Sequence, residues 1–329
     1  MLTKAALKPL QEGKNLLAFS GGVDSSALFF LLHEHQISFD IAIVNYNTRE
    51  ASAQEVAYAQ ELAHQYHLQC HLLETRLELK NFEAQARAVR YDFFKRCIEK
   101  HGYTNLITAH QLDDKLEWFM MQLTKGAGLQ ELLGMQSLKR EENYTLIRPL
   151  LQTTKATLLK YLQQHQHRYF IDESNADQHY KRNYFRHQIT QELLQNYSQG
   201  ILKSLEYLDE DLQELHTQSA TIMQIGSLYY FKRGQHRRSD IITLDQHFKK
   251  MGYLIRQGER ERLKDEDEVV ISRRWVVSFH TEYLFIAPLS NAVMPKEFKE
   301  QCRQLQLSAK LRPYLYETPE LFTQLKALL

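Results

Sequence analysis

Short apolar segments alternate with amphipathic stretches over the first 110 residues of the chain. Four apolar segments are typical of strands buried on both faces, and they lie at 16–19, 41–44, 68–73 and 105–109. The stretches between them repeat apolar residues at helical spacing, over about 24–36, 52–66 and 82–100. This alternation predicts an α/β fold with a doubly wound parallel sheet and right-handed crossover connections.

The rest of the chain has helical spacing first and strand-like segments afterwards. Helical spacing continues at 113–134, at 154–165 and from 183 to 224. After Gly226 four segments indicate strands, the last two joined as a hairpin, and they lie at 228–231, 269–271, 275–279 and 283–286. An amphipathic helical tail begins at about residue 295. We therefore predict a catalytic domain at 1–215, which includes a helical end, and a small α+β domain at 216–329.

Composition narrows the choice of function. Of the 329 residues, 41 are Lys or Arg and 40 are Asp or Glu, so the net charge is 41 − 40 = +1. A nucleic-acid surface must then be a local patch, because the whole chain carries no basic field. The longest apolar run has six residues, far fewer than the roughly 20 that a membrane helix needs. With no signal-peptide pattern at the start, this predicts a cytoplasmic protein that binds no membrane.

Cysteine and histidine spacing does not predict a metal cluster. The three cysteines, at positions 70, 97 and 302, are odd in number and far apart, which disfavours both a disulfide framework and a cysteine zinc site. Histidines at 64, 67 and 71 have ligand-like spacing with Cys70. A strand at 68–73 would keep these side chains from converging on one ion, so we assign no metal there.

The sharpest local signal is a glycine-containing loop between the first predicted strand and the first predicted helix. Its residues are Ser20, Gly21, Gly22, Val23, Asp24, Ser25 and Ser26. A helix N-terminus offers backbone N–H groups to a phosphate, two glycines let the backbone approach closely, and the serines add hydroxyl donors. The loop matches neither a Walker A motif nor a dinucleotide fingerprint. The alternative is a Gly-Gly turn in which Asp24 or Ser25 only caps the helix.

Asp24 adds a second expectation. A carboxylate beside polyphosphate is repelled unless a divalent cation lies between them, so a phosphate-binding role for the loop predicts Mg²⁺ as well. A second acidic group begins at the carboxyl end of the fourth strand, the same sheet edge. There Asp113 and Glu117 are spaced i, i+4 on one helix face, with Asp114 adjacent. This group could hold Mg²⁺ or the ammonium of a substrate; the alternative is an acidic first turn favoured by the helix dipole.

Basic residues supply two further candidates. Arg87 and Arg90 lie one helical turn apart and could neutralise the β- and γ-phosphates, and we favour Arg90. In the segment 180–187 four basic side chains alternate with aromatic ones, which suits phosphate contacts and base stacking. A capped helix start with exposed charges is the alternative for this segment.

The loop at 20–26 resembles the pyrophosphate-loop motif of the ATP pyrophosphatases, enzymes of adenine nucleotide hydrolase-like fold that cleave ATP between its α- and β-phosphates. Further stretches, at 81–91, 108–128, 148–151 and 171–186, are similar to the tRNA(Ile)-lysidine synthetase family. The resemblance covers about residues 14–225. It departs from the family at 45–50, where Asn-Tyr-Asn-Thr-Arg-Glu replaces a His-Gly-Leu-Arg-like loop, and at Trp118, where the family commonly has Thr.

The resemblance implies a ligase reaction on RNA. ATP would adenylate the C2 oxygen of the wobble cytidine in the CAU anticodon of tRNA(Ile), and the amine of L-lysine would then displace AMP to give lysidine. The C-terminal domain would support tRNA binding, and a homodimer is left open. Alternatives are a tRNA thiolation enzyme of the same superfamily, and a catalytically idle tRNA-binding protein suggested by the altered 45–50 loop.

The resemblance also implies roles for individual residues. ATP would be bound by the loop Ser20 to Ser26, and Mg²⁺ by Asp24 and Asp113. The catalytic residues would be Asp24, Arg90, Asp113, Asp114 and Glu117. Contacts to the substrates would come from His110, Asp172, Asn175, Arg182, Asn183 and Arg186.

Overall fold

A computed structural model of the chain describes residues 1–47, 51–77, 82–171, 181–217 and 220–329. The chain forms two compact units, Met1–Asp209 and Glu210–Leu329. The boundary expected from the sequence, between 215 and 216, lies six residues further along the chain. Both positions fall within one long helix, Gln191–Thr217.

The first unit is built on a six-stranded sheet with the order β3-β2-β1-β4-β6-β5. Its strands are β1 (Asn15–Ala18), β2 (Phe39–Asn45), β3 (Cys70–Glu74), β4 (Asn105–Ile107), β5 (Leu138–Arg140) and β6 (Thr145–Ile147). All neighbouring pairs are parallel except β5 with β6. The chain adds β2 and β3 on one side of β1 and then crosses to place β4 on the other. The topological switch point therefore lies between β1 and β4.

Helices cover both faces of this sheet. They are α1 (Lys4–Glu12), α2 (Val23–Glu34), α3 (Ala51–Gln65), α4 (Phe82–His101), α5 (Leu112–Leu123), α6 (Leu129–Leu132) and α7 (Lys155–Gln164). Successive strand residues point to opposite faces: Leu17 packs in the core with α2, α3 and α7, whereas Leu16 packs in the core with α4. The central strands β1, β2 and β4 are thus buried on both faces, and the predicted doubly wound α/β fold is confirmed.

Several expectations about single elements were wrong. The stretch 113–134 forms two helices, α5 and α6, rather than one. The stretch 183–224 continues past α8 (Lys181–Phe185), a π-helical turn at Arg186–Thr190 and α9 (Gln191–Thr217) into a strand, Met223–Ile225. Helix α1 and the strands β5 and β6 were not predicted; each of the two strands has three residues, too few to show a period.

The second unit contains a five-stranded antiparallel sheet with the order β7-β8-β11-β10-β9. Its strands are β7 (Met223–Ile225), β8 (Leu228–Lys232), β9 (Glu268–Ile271), β10 (Trp275–Phe279) and β11 (Tyr283–Pro288). Its helices are α10 (Arg237–Lys250), α11 (Gln257–Asp265), α12 (Lys296–Gln304), α13 (Arg312–Glu317) and α14 (Pro319–Leu328). One face packs on α10 and α11 and the other on α12, α13 and α14. The α+β character of this part of the chain and the β10–β11 hairpin are confirmed.

None of the helices in the described ranges combines the length with the apolar character that crossing a membrane requires.

The turn between β1 and α2 is held by a backbone contact from a distant part of the chain. Gly21 has a φ of +74°, a conformation that side chains rarely adopt. The Phe170 N–H donates a hydrogen bond of 2.9 Å to the Gly21 carbonyl, and Gly22 pairs with Phe170 as a parallel bridge. A Cβ added to Gly21 would lie 3.2 Å from a ring carbon of Phe170. The loop geometry therefore requires glycine at this position.

We expect Gly21→Ala to lower the free energy of unfolding more than Gly102→Ala does. Gly102 also has a positive φ, of +69°, but no heavy atom of the described residues lies within 4 Å of a Cβ built there. The control should cost only the left-handed backbone strain, about 1–2 kcal/mol, whereas Gly21→Ala adds crowding against Phe170, roughly 1 kcal/mol or more. Urea unfolding of both variants gives the comparison. Equal losses would show that Phe170 does not restrain the turn.

Candidate active site

Two segments predicted to be functional meet at the switch point of the first sheet. The loop at 20–26 follows β1, and the segment 108–111 links β4 to α5. Because β1 and β4 are adjacent and parallel, their carboxyl ends open on the same crevice, which is where open α/β sheets bind ligands. The N-termini of α2 and α5 both begin at this edge.

Buried serine hydroxyls hold the loop in shape. The Ser20 N–H donates to Ser25 Oγ at 3.3 Å, and Ser25 Oγ–H donates to the Gly22 carbonyl at 3.2 Å. Ser26 Oγ–H donates to the Gly21 carbonyl at 3.1 Å. Ser25 and Ser26 are buried, whereas Ser20 is exposed. The sequence suggested three hydroxyl donors for phosphate; in this structure all three bond within the loop itself, Ser20 Oγ lying 3.0 Å from Ser25 Oγ.

Asp24 lies in the first turn of α2 with one oxygen unsatisfied. Its Oδ1 is buried and has no hydrogen-bond partner in the part of the chain that the structure describes. Burial raises the pKa of Asp24 to about 7; the Lys155 charge opposes this rise, and the charges of Asp114 and Asp113 add to it. A buried, unpartnered carboxylate oxygen near other carboxylates is a favourable place for a cation.

The beginning of α5 points Asp113 towards the beginning of α7. Asp113 Oδ2 accepts a hydrogen bond of 3.0 Å from the Lys155 N–H, and burial raises the pKa of Asp113. Thr154 is the N-cap of α7 and accepts from the Thr157 N–H at 3.2 Å. Sequence reasoning predicted this helix but missed Lys155. The available signal was a threonine N-cap directly before the lysine.

Asp114 and Glu117 face two arginines rather than Asp113. Arg182 donates to Glu117 Oε2 at 2.9 Å and to Asp114 Oδ1 at 2.5 Å. Arg186 donates to Glu117 Oε1 at 2.6 Å and to Oε2 at 3.2 Å. The Glu117 side chain is only 1% exposed, so these pairs are largely shielded from water. The acidic residues thus divide into Asp113 beside Asp24 and Lys155, and an arginine-paired set of Asp114 and Glu117.

Helix capping accounts for part of this acidic turn. Gln111 Oε1 accepts from the Asp113 N–H at 2.5 Å, and Asp114 Oδ2 accepts from the Gln111 N–H at 3.1 Å. These two bonds form a capping box at the start of α5. Asp114 therefore both caps the helix and pairs with Arg182.

His110 is a neutral imidazole at the same sheet edge. Its Nδ1 lies 3.0 Å from the Thr108 hydroxyl. Burial lowers the pKa of His110 to about 4, and the charges of Arg148 and Arg182 also lower it, against the opposing effect of Asp114. At neutral pH this ring can accept a hydrogen bond but carries no charge.

The two arginines of α4 have different surroundings. The Arg87 guanidinium lies 4.8 Å from the centre of the Tyr91 ring, and its charge helps to lower the pKa of His110. Arg90 lowers the pKa of Tyr46, although burial raises that pKa overall. Tyr46 belongs to the segment that departs from the family, and its hydroxyl donates to a backbone carbonyl of α4 at 2.8 Å. Arg87 therefore acts nearer to His110, and Arg90 nearer to the end of β2.

The remaining predicted site residues either lie outside the described ranges or are placed only by the element that contains them. Asp172, Asn175 and residues 48–50 lie outside the described ranges. Asn183 lies in α8, on the same short helix as Arg182. Val23 is the first residue of α2 and packs against the core.

Several known proteins and one family model are similar to this chain in sequence. A family model described as a PP-loop domain matches residues 2–193. A tRNA(Ile)-lysidine synthase from Helicobacter pylori is 41% identical over 316 residues, which are 95% of this chain and 92% of that protein. One from Wolinella succinogenes is 43% identical over 308 residues, which are 93% of this chain and 94% of that protein.

A solved structure agrees in fold. A U34-tRNA thiolase from Methanococcus maripaludis, with its [4Fe-4S] cluster, matches 67% of this chain and 78% of its own chain with a TM-score of 0.54. Its sequence identity is 20%, so this likeness concerns the fold alone. From the family match and the relatives that align over nearly their whole length, the chain contains a PP-loop domain and belongs to the tRNA(Ile)-lysidine synthase family.

Proposed function

We propose that this protein ligates L-lysine to C2 of the wobble cytidine in the CAU anticodon of tRNA(Ile), using ATP and releasing AMP and pyrophosphate. The observation that carries the proposal is the convergence of a phosphate loop and two groups of carboxylates at one sheet edge, in a chain of this family. The reaction needs a nucleotide site, an amino-acid site and an RNA surface. Different residues are suited to each.

The nucleotide site would lie on the loop at 20–26. The N-terminus of α2 favours negative charge through its unpaired N–H groups and its dipole. The serine bonds and the Phe170 contact fix the loop before ATP arrives, so little ordering is needed when ATP binds. In the first step the cytidine C2 oxygen would bond to the α-phosphorus as the bond to the β-phosphate oxygen breaks.

Asp24 and Asp113 would hold the Mg²⁺ ion. Carboxylate oxygens are suitable donors for this ion, and the unpartnered buried Oδ1 of Asp24 is the structural feature that fits it. When bound, the ion would supply positive charge to the polyphosphate. Lys155 lies close enough to lower the pKa of Asp24, so it would add a second positive charge at the same place.

The arginine-paired set offers groups of both charges to free lysine, which carries one carboxylate and two ammonium groups at neutral pH. One lysine ammonium would exchange into the pairing of Glu117, and the lysine carboxylate would take up a guanidinium group released by that exchange. A carboxylate raises the pKa of the amine that it holds. The amine held here would therefore stay protonated, and the other amine would attack C2 after losing its proton, as the C2–O bond to AMP breaks.

The RNA surface would include the α8 region. Arg182 is 38% exposed in its side chain and Tyr184 is 52% exposed, so a guanidinium and an aromatic ring are both accessible there. Such a pair suits a phosphate and an unstacked base. Arg186 is less exposed, at 23%, and would mainly hold Glu117 in position.

The thiolation alternative fits the cysteines poorly. Burial raises the pKa of Cys70, Cys97 and Cys302, the last to about 11, so all three favour the unreactive thiol. They also pack with three different hydrophobic clusters. Sulfur transfer would need thiolates that can meet at one site.

Product mass tests the proposed reaction directly. Transcribed tRNA(Ile) with a CAU anticodon is incubated with protein, ATP and lysine, and its nucleosides are analysed by mass spectrometry. We expect cytidine to gain the mass of lysine minus water. Thiocytidine would support the thiolation alternative, and unmodified cytidine under conditions of ATP turnover would exclude lysidine formation.

Asp24→Asn tests the proposed Mg²⁺ site through both activity and stability. We expect a folded variant with strongly reduced ATP turnover, because one ligand charge is lost. The pKa of Asp24 is higher in the folded state than its ordinary value, so the wild-type free energy of unfolding should fall as pH rises from about 4 to about 7. In EDTA, the variant should therefore gain stability relative to wild type between pH 5 and pH 8.

Added Mg²⁺ provides the control for that measurement. It should stabilise wild type more than Asp24→Asn at pH 8. A stability difference that does not change with pH, together with wild-type turnover in the variant, would mean that Asp24 only caps α2.

The two arginines of the paired set should separate in their effects. We expect Arg182→Ala to reduce the slope of log tRNA affinity against log salt concentration by about the amount that one phosphate contact contributes. Arg186→Ala should raise the KM for lysine and leave that salt slope unchanged. Arg96→Ala, on an exposed arginine paired with Asp92, is the matched control. Equal effects of both variants on the salt slope would contradict the division of roles.

A further inference from the structure

A second cluster of ligand-type side chains lies at the opposite ends of the helices that begin at the candidate active site. Glu34 is the last residue of α2, and His165 and His167 follow α7. One carboxylate oxygen and one nitrogen from each imidazole lie within 4.8 Å of one another. None of these residues touches the loop at 20–26 or the acidic turn of α5.

The two helices end in the same way, which fixes the backbone around the cluster. After α7, Gln166 has a φ of +55°, the Gln166 N–H donates to the Gln163 carbonyl, and the His167 N–H donates to the Leu162 carbonyl at 2.9 Å. This is a Schellman motif, and α2 ends in a second one through Gln36. The turn at Gln166 presents both imidazoles on one side, with their planes 14° apart.

Neighbouring side chains orient two of the three ligands. The His167 ring stacks on Phe30 with 3.5 Å between ring centres and 5° between planes. The Tyr161 hydroxyl donates a hydrogen bond of 2.5 Å to Glu34 Oε1. A hydrogen bond that orients a ligating carboxylate, as the Tyr161 hydroxyl does here, is characteristic of metal sites. The side chains of His165 and Glu34 are exposed at the surface, so each can rotate towards a shared ion.

The electrostatics favour a cation. The C-termini of α2 and α7 carry partial negative charge from their dipoles, and Glu34 adds a full negative charge. An imidazole binds such an ion through a ring nitrogen in its neutral form.

We propose that Glu34, His165 and His167 form a surface site for a divalent transition-metal ion of the Zn²⁺ type, separate from the Mg²⁺ site. Imidazole and carboxylate together suit such ions, whereas Mg²⁺ prefers oxygen ligands alone. With metal–ligand bonds of about 2.1 Å, the ligand atoms of a tetrahedral site lie roughly 3.4 Å from one another. Small rotations of the exposed Glu34 and His165 side chains would bring the three ligand atoms from their present separation of up to 4.8 Å to that distance. The bound ion joins the end of α2 to the end of α7.

The position of the site gives it a route to the phosphate loop. Only two residues separate His167 from Phe170, whose N–H bonds to the Gly21 carbonyl. Between them, the Arg168 guanidinium lies 4.9 Å from the centre of the Phe170 ring, and the Arg168 carbonyl accepts from the Tyr58 hydroxyl at 2.7 Å. An ion at His167 therefore restrains the segment that holds the turn before α2.

Calorimetric titration of the untagged, chelator-treated chain with Zn²⁺ alone tests the site. We expect one ion per chain, with a dissociation constant in the micromolar range or tighter, and a rise in Tm. His165→Asn and Glu34→Gln should each weaken binding at least about tenfold. Both substitutions are on exposed side chains, and Gln keeps an acceptor for Tyr161, so both variants should fold. His236→Asn, an exposed histidine of the second unit, is the matched control.

Titration with Co²⁺ gives an independent spectroscopic measurement. Visible absorption of tetrahedral Co²⁺ should appear with wild type and with His236→Asn, and should be lost in His165→Asn. Zn²⁺ binding that is equal in all four proteins, or that stays in the millimolar range, would overturn the proposal. Lysidine formation is measured separately, so failure of this site would leave the proposed reaction untouched.

Discussion

The position of β1 between β2 and β4 is the constraint on which the site depends. Because β1 pairs in parallel with both neighbours, the turn after β1 and the turn after β4 emerge side by side. Each turn leads into a helix, so two positive dipole ends meet in one crevice. A third helix, α7, begins beside them, because the Lys155 N–H bonds to Asp113. Three helix N-termini around one cleft form a strong preference for anions before any side chain is considered.

The same cleft is also lined with acidic side chains, whose negative charge opposes the binding of an anion. These side chains differ in the partners that they have. Asp114 and Glu117 are paired with Arg182 and Arg186, which removes most of the cost of burying them. Asp113 receives a backbone N–H. Asp24 keeps one buried oxygen without a partner among the described residues, and its pKa is raised accordingly. Asp24 is thus the carboxylate of this cleft whose charge is not balanced by a partner in the described ranges, and it lies beside the loop where a polyphosphate would bring more negative charge.

Local patterns were sufficient to predict most of the fold. Continuous apolar runs such as Ile41 to Val44 can be recognised because a strand buried on both faces has no polar side to break the run. The Gly21-Gly22 turn and the i, i+4 spacing of Asp113 and Glu117 are likewise local features. The sequence therefore predicted the sheet, its loop and the acidic turn without any knowledge of long-range contacts.

The missed contacts of Gly21 and of the acidic turn depend on residues that are distant in sequence. Phe170 reaches Gly21 across about 150 positions, and the contact uses backbone atoms that leave no signature in residue type. The pairing of Arg182 and Arg186 with carboxylates was not predicted, because those carboxylates lie more than 60 positions earlier. A basic patch in sequence can become part of a balanced cluster once the chain folds. This is why a charged motif alone predicts the kind of chemistry better than the partner that each charge will meet.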